Sequence, residues 1–131
     1  MKYLLDSGVW LWSIDSVDRI GKRGLDVLSN SQEEIYFSAA SVWELTIKAH
    51  LKKLTLPAAP ADCIPPFMAR QGLRPLPVNH IHAVKVYDLS SHHRDPFDRL
   101  LIAQAIVEGM TILTADRTFA KYPVEVLWCG K

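Results

Sequence analysis

Apolar positions along this chain fall into short runs, separated by polar, proline-rich or glycine-containing stretches. Lys2–Leu5 is a brief, mostly apolar run that stops at Asp6, the pattern of a buried first strand. Ser7–Ile14 then reads as a helix and Arg19–Ser29 as a second one. Ile35–Phe37 is β-branched and aromatic, which predicts a strand. From Ser41 to about Leu51, Val42, Leu45, Ile47, Ala49 and Leu51 are spaced to allow a helix. Four of the eight prolines lie in Thr55–Pro66, so that stretch predicts a surface connection leading to a helix that starts near Pro65. Leu73–Val78 is interrupted by prolines and reads as an edge strand at best.

Asn79 is placed to cap a helix running through Val86. Phe97–Val107 is the strongest helix in the sequence, and it is apolar nearly all round, which predicts burial on several sides. Thr111–Leu113 and Val124–Leu127 supply the last strands, with a helical turn around Thr118–Tyr122 between them. Strands alternating with helices predict an α/β fold, a three-layer α/β/α sandwich with a mostly parallel central sheet. A chain of 131 residues without repeats or low-complexity tracts makes one such domain, 1–131.

Composition narrows the function classes. Hydrophobic residues are 49% and charged ones 22%, which excludes a disordered or fibrous chain. A net charge of +1 gives no overall attraction to nucleic acid, so any such contact would have to come from a local patch. Cys63 and Cys129 share no metal-ligand spacing and read as free thiols in a reducing compartment. The apolar run before Asp6 is too short for a signal peptide or a membrane span, so the expected location is the cytoplasm, with no membrane partner.

Four acids carry the candidate chemistry: Asp6, Glu44, Asp98 and Asp116. Each also has a structural explanation. Asp6 can cap the helix after the first strand, Ser41-x-x-Glu44 has capping-box spacing, and Asp116 can cap the turn before Phe119. Asp95-Pro96-Phe97-Asp98 reads as N-cap to N3 of the buried helix, with Asp98 favoured there by the helix dipole. Together they say more. Asp6 and Asp116 follow strands, and Glu44 and Asp98 open helices that would begin at the same sheet edge, where open α/β sheets bind their ligands. Like charges so close raise each other's pKa, and a hard divalent cation such as Mg²⁺ or Mn²⁺ resolves the conflict. Such an ion also suits hydrolysis of a phosphodiester.

The pieces Leu4–Ser7 (LLDS), Ser38–Lys48 (SAASVWELTIK), His93–Ala105 (HRDPFDRLLIAQA) and Leu113–Tyr122 (LTADRTFAKY) occur in the order used by one family. With them the chain resembles PIN-domain ribonucleases, specifically the VapC-type toxins of toxin–antitoxin pairs, over nearly its whole length. The resemblance implies a metal-dependent endoribonuclease, with Asp6, Glu44, Asp98 and Asp116 in the places of the family's acidic quartet. It implies hydroxyls near the metal at Ser7 and Thr114. It also implies an RNA substrate, a homodimer, and a cognate antitoxin whose tail blocks the acidic pocket. Gly8 departs from relatives that carry histidine or another polar residue there. Asp95 is a possible fifth acid, with capping as its competing role.

Arg99, Arg94, Lys48 and Arg117 flank the acids, and a basic rim of this kind holds RNA phosphates; Arg99, beside Asp98, ranks first. Their competing role is a solvated surface, shared by Lys52 and Lys53. His92 and His93 lack partners at zinc-ligand spacing. His80 and His82 read as surface residues, and Trp10, Trp12 and Trp43 as core or interface residues rather than platforms for bases. A catalytically silent PIN-fold domain that binds RNA or forms a complex is the alternative function, against which the presence of all four acids argues. A two-component receiver needs adjacent acids after its first strand, which Asp6-Ser7 lacks, and Gly8 removes the Asp-x-Asp of a haloacid-type phosphatase.

Overall fold

A computed structural model describes every residue, Met1–Lys131. Its strands are β1 (Lys2–Leu5), β2 (Glu34–Ser38), β3 (Arg74–Leu76), β4 (Thr111–Thr114) and β5 (Val126–Trp128). The helices are α1 (Ser7–Asp15), α2 (Lys22–Leu28), α3 (Ala39–His50), α4 (Pro60–Gln71), α5 (His80–Lys85) and α6 (Pro96–Glu108), with 3-10 turns at Val17–Arg19, Val86–Asp88 and Arg117–Lys121. The five strands form one sheet in the order β3-β2-β1-β4-β5, and every pair is parallel. The expectation of a mostly parallel three-layer sandwich therefore becomes an all-parallel sheet.

Alternation along the strands divides the core in two. Tyr3 and Leu5 of β1 and Leu113 of β4 pack with Val9, Trp10, Phe37, Leu45 and Ile64 on one face. Leu4 and Ile112 point the other way, against Leu101, Ile102 and Ala105 of α6 and against Phe119. Asp95 caps α6 by accepting the Phe97 N–H at 2.8 Å, Pro96 stands at the first helical position, and Gly109 closes the helix in the left-handed region at φ 68°. Leu101–Ala105 is buried without interruption, as its all-round apolarity requires.

Several element boundaries differ from the sequence pattern, each for a local reason. The second helix starts only at Lys22, because Gly21 donates its N–H to the Cys129 carbonyl at 2.8 Å and is held against the chain end. A Cβ at Gly21 would lie 2.5 Å from the Gly130 carbonyl oxygen, so only glycine fits that approach. Helix α3 begins at Ala39, not Ser41: Ser38 is the cap, accepting the Ala40 N–H at 3.0 Å. The Ser41-x-x-Glu44 capping box is thus absent, and Ser41 is buried within the helix. Helix α4 starts at Pro60 and carries Pro65 and Pro66 inside it. Both prolines are exposed, so water can reach the carbonyls they leave unpaired, while Cys63, Ile64, Phe67 and Met68 provide the inward face.

Candidate active site

The chain fills β1, β2 and β3 outward to one edge, then returns to add β4 and β5 on the other side of β1. The strand order therefore switches direction between β1 and β4, and the crevice beyond their carboxyl ends is the expected ligand position. Asp6 leaves β1 there, its N–H bonded to the Leu113 carbonyl at 2.9 Å. It occupies the N-cap position of α1, yet its side chain caps nothing. Instead, Oδ2 accepts the Thr114 hydroxyl at 2.7 Å. The same Thr114 oxygen accepts the Asp116 N–H at 3.0 Å, tying the first and last acids to one side chain.

Glu44 lies in the second turn of α3 and is buried. Ser7 donates to its Oε1 at 3.0 Å, and Lys48, one turn further on, reaches Oε2 at 3.1 Å. Asp98 is the third residue of α6, as the motif predicts, and Asp116 caps the Arg117–Lys121 turn by accepting the Thr118 N–H at 2.9 Å. Both hydroxyls named from the sequence thus orient carboxylates.

Electrostatics link the four acids. Burial lifts Asp98 from its ordinary 3.8 to about 7, and the charges of Asp6, Asp95, Glu44 and Asp116 push in the same direction. Burial is also the main reason Asp6 is raised, reinforced by Glu44 and Asp116 and opposed by its bond from Thr114. Asp116 goes the other way. Burial would raise it, but the bonds from Thr118 and His93 outweigh that and hold it below the ordinary value.

His93 is the residue that sequence reasoning missed. Its Nε2 lies 3.2 Å from Asp116 Oδ2 and 3.9 Å from Asp98 Oδ2, and its side chain is only 8% exposed. His93, Asp98 and Asp116 bring their ligand-type atoms within 4.8 Å of one another. The available signal was its place at the head of the HRDPFDRLLIAQA run; spacing alone hid it, since its neighbours here come from other elements. Four carboxylates, two of them oriented by hydroxyls, form a donor set that suits a hard divalent cation such as Mg²⁺ or Mn²⁺, with the His93 imidazole beside it.

The basic residues are placed unevenly. Arg99, ranked first from the sequence, directs its guanidinium to the Ser90, Val86 and Leu89 carbonyls at 2.8–3.3 Å, so its position is structural rather than that of a free phosphate ligand. Lys48 is paired with Glu44, and Arg117 lies over the Trp128 ring at 4.0 Å. Arg94 is exposed one residue from His93. Asp95 is the N-cap of α6. His82, expected at the surface, is fully buried: it accepts the Asn79 N–H on Nδ1 and pairs with Glu108 at 2.7 Å, completing a capping box for α5. Trp10 is core, whereas Trp43 is 60% exposed and meets Phe97 edge-on.

Beside the acids, α3, α4 and β3 enclose an apolar groove of about 840 Å³ lined by Val42, Trp43, Ile64, Pro65, Met68 and Pro75, among others. Trp43, the chain neighbour of Glu44, lines this groove and meets Phe97, the chain neighbour of Asp98. No helix is long and apolar enough to cross a membrane.

Comparison with known proteins identifies the family and the fold. The chain is 39% identical over 56 residues to Ribonuclease VapC16 of Mycobacterium tuberculosis, a match covering 43% of this chain and 40% of that protein. Its fold is similar to that in VapBC2 from Rickettsia felis bound to a promoter DNA fragment, with a TM-score of 0.73, 17% identity and coverage of 97% of this chain and 98% of that one. It is likewise similar to DNA-bound VapBC from Salmonella typhimurium, with a TM-score of 0.71, 17% identity and 97% coverage of both chains. The PIN domain family matches residues 3–125, which take in four of the five strands and all four acids of the crevice, and the chain belongs to the PIN-domain family.

Proposed function

We propose that this protein is a Mg²⁺- or Mn²⁺-dependent endoribonuclease acting as the toxin of a toxin–antitoxin pair. One observation carries the reading. Four carboxylates from four separate segments share the crevice at the strand-order switch, and their mutual repulsion, added to burial, lifts Asp98 to about 7. Helix caps need no such convergence. Asp6, Glu44, Asp98 and Asp116 would hold the cation, with Thr114 and Ser7 fixing the orientation of Asp6 and Glu44. The chemistry such an ion would supply there is a coordinated water of lowered pKa and neutralisation of charge developing on a phosphodiester. Arg94, exposed beside the crevice, is the best-placed arginine for an RNA phosphate, with Lys48 and Arg117 as further contacts.

The antitoxin reading draws support from the groove. An apolar segment seated between α3 and α4 would pass Trp43 and Phe97 and bring a basic side chain to the acids. That the similar folds are toxin–antitoxin complexes favours the same partner. Homodimerisation is supported by a second surface: Val78, Ile81, Val84 and Tyr87 are all exposed on and around α5, with Tyr87 93% accessible.

Purified protein incubated with RNA and Mn²⁺ tests the function. Asp6→Asn or Asp98→Asn should abolish cleavage while leaving the fold intact. Full cleavage by Asp98→Asn would remove the acidic quartet from the mechanism, and sequencing RNA ends after expression in the host would define the target.

A further inference from the structure

Tyr122 is buried against His93, with the two rings nearly parallel and their centroids 5.4 Å apart. Its hydroxyl oxygen accepts two backbone N–H groups, from His92 at 3.1 Å and from His93 at 2.7 Å. A phenolic oxygen has two acceptor positions and one proton. With both positions filled, the only contact it can make with His93 Nδ1, 3.3 Å away, is to donate that proton. Nδ1 must then present a lone pair, so a neutral His93 carries its hydrogen on Nε2. That nitrogen faces Asp116 Oδ2 at 3.2 Å and Asp98 Oδ2 at 3.9 Å.

We propose that Tyr122 locks His93 in the Nε2–H tautomer, making His93 a positioning residue that holds Asp116 for the metal while remaining outside the coordination sphere. The inference rests on the metal-dependent reading above. Asp116 is gripped at both oxygens, by the Thr118 N–H at Oδ1 and by His93 at Oδ2, whereas Asp98 has only the more distant histidine. An imidazole in the opposite tautomer would offer a lone pair to the cation and admit nitrogen-preferring metals such as Zn²⁺ or Ni²⁺. The lock keeps the donor set all-oxygen and selects hard cations. The arrangement inverts the common one, in which a carboxylate orients a metal-bound histidine.

The test reads the nitrogen directly. In metal-free, ¹⁵N-labelled wild type at about pH 8, above the ordinary histidine range, long-range ¹⁵N NMR should show pyridine-type Nδ1 and pyrrole-type Nε2 for His93. Pulsed EPR of the Mn²⁺-loaded wild type should show no directly bound ¹⁴N. His93→Ala should weaken Mn²⁺ binding by about 10–100-fold, the usual effect of losing an outer-sphere partner. His93→Gln, whose amide N–H can replace Nε2–H, should recover most of that loss. A protonated Nδ1, a coordinated ¹⁴N in wild type, or a His93→Gln protein as weak as His93→Ala would overturn the lock while leaving the metal site standing. A wild type that binds no Mn²⁺ would defeat the metal reading and this inference with it.

Discussion

Asp98 and Asp116 face the same atom, Nε2 of His93, at 3.9 and 3.2 Å, yet their carboxyl groups are driven in opposite directions. Asp116 takes the hydrogen bonds and is lowered; Asp98, with burial and four neighbouring acids against it, rises to about 7. The crevice is therefore built around one well-anchored carboxylate and one that burial and its acidic neighbours leave uncomfortable.

Removing that discomfort should stabilise the metal-free protein. Asp98→Asn keeps the shape and deletes one of the repelling charges, for a gain on the order of 1 kcal/mol. That corresponds to a melting point about 3–5 °C higher in a chelator. For wild type, Mn²⁺ at about ten times its dissociation constant should add roughly 1.4 kcal/mol, and Asp98→Asn should show much less response. Differential scanning calorimetry decides. A destabilised Asp98→Asn protein whose wild type ignores Mn²⁺ would reduce Asp98 to a dipole-favoured residue of the first helical turn.

The same group sets a pH dependence. Between about pH 4 and 7 the native Asp98 keeps a proton that the aspartate of the unfolded chain has already released. The native state then binds more protons, so stability falls as pH rises through this window, by up to about 1.4 kcal/mol per pH unit for one full proton. Asp6, also raised, acts with the same sign. Asp116, lowered, contributes stability that is lost only at acid pH, around and below its ordinary 3.8. Urea midpoints in chelator should be higher at pH 5 than at pH 8, and saturating Mn²⁺ should reverse the order. A metal-free midpoint that climbs from pH 5 to 8 would contradict the assignment.

Arg99→Ala should act on the fold. Its guanidinium joins α6 to the carbonyls of Val86, Leu89 and Ser90, and losing these charge-assisted bonds should cost about 1–3 kcal/mol. The salt dependence of RNA binding should stay as in wild type, whereas Arg94→Ala should flatten it by removing a phosphate contact. A stable Arg99→Ala protein with a flattened salt slope would return Arg99 to the RNA-binding surface.

If the proposed homodimer forms through α5, Val84→Glu should dissociate it, since it places a charge at the centre of the exposed Ile81–Val84–Tyr87 surface. Analytical ultracentrifugation should give a dimer for wild type and a monomer for the variant. A variant that remains dimeric would move the interface elsewhere.

The sequence pattern reveals most where one signal dominates. Phe97–Val107 is apolar all round and bounded by Asp95-Pro96 and Gly109, so helix α6 and the placement of Asp98 are both readable. Asp6 and Asp116 are readable because one directly follows a strand and the other lies just beyond one. The start of helix α4 is hidden because Pro65 and Pro66, read locally, mark the beginning of a helix rather than its interior; exposure of both prolines to water and the packing of Cys63, Ile64, Phe67 and Met68 make the lost backbone bonds tolerable. His82 and His93 are hidden for a related reason. Their partners, Glu108 and Asp116, are 26 and 23 residues away, and a polar residue looks exposed until the fold supplies what satisfies it. The carbonyl partners of Arg99, on Val86, Leu89 and Ser90, are hidden in the same manner.

The central position of β1 has a consequence for how the protein is made. The first strand to leave the ribosome must lie between β2 and β4, and Asp6 meets its hydroxyl partner 108 residues later in the chain. Contacts of such long sequence separation form late, after the loop entropy of nearly the whole chain has been overcome. A nascent chain that has folded only through α5 has Asp6 and Glu44 but neither Asp98, Asp116 nor the second wall of the crevice. On the proposed function, nuclease competence should therefore arise in one step, as β4 slots in beside β1, and no truncated product of interrupted translation should be able to cut RNA.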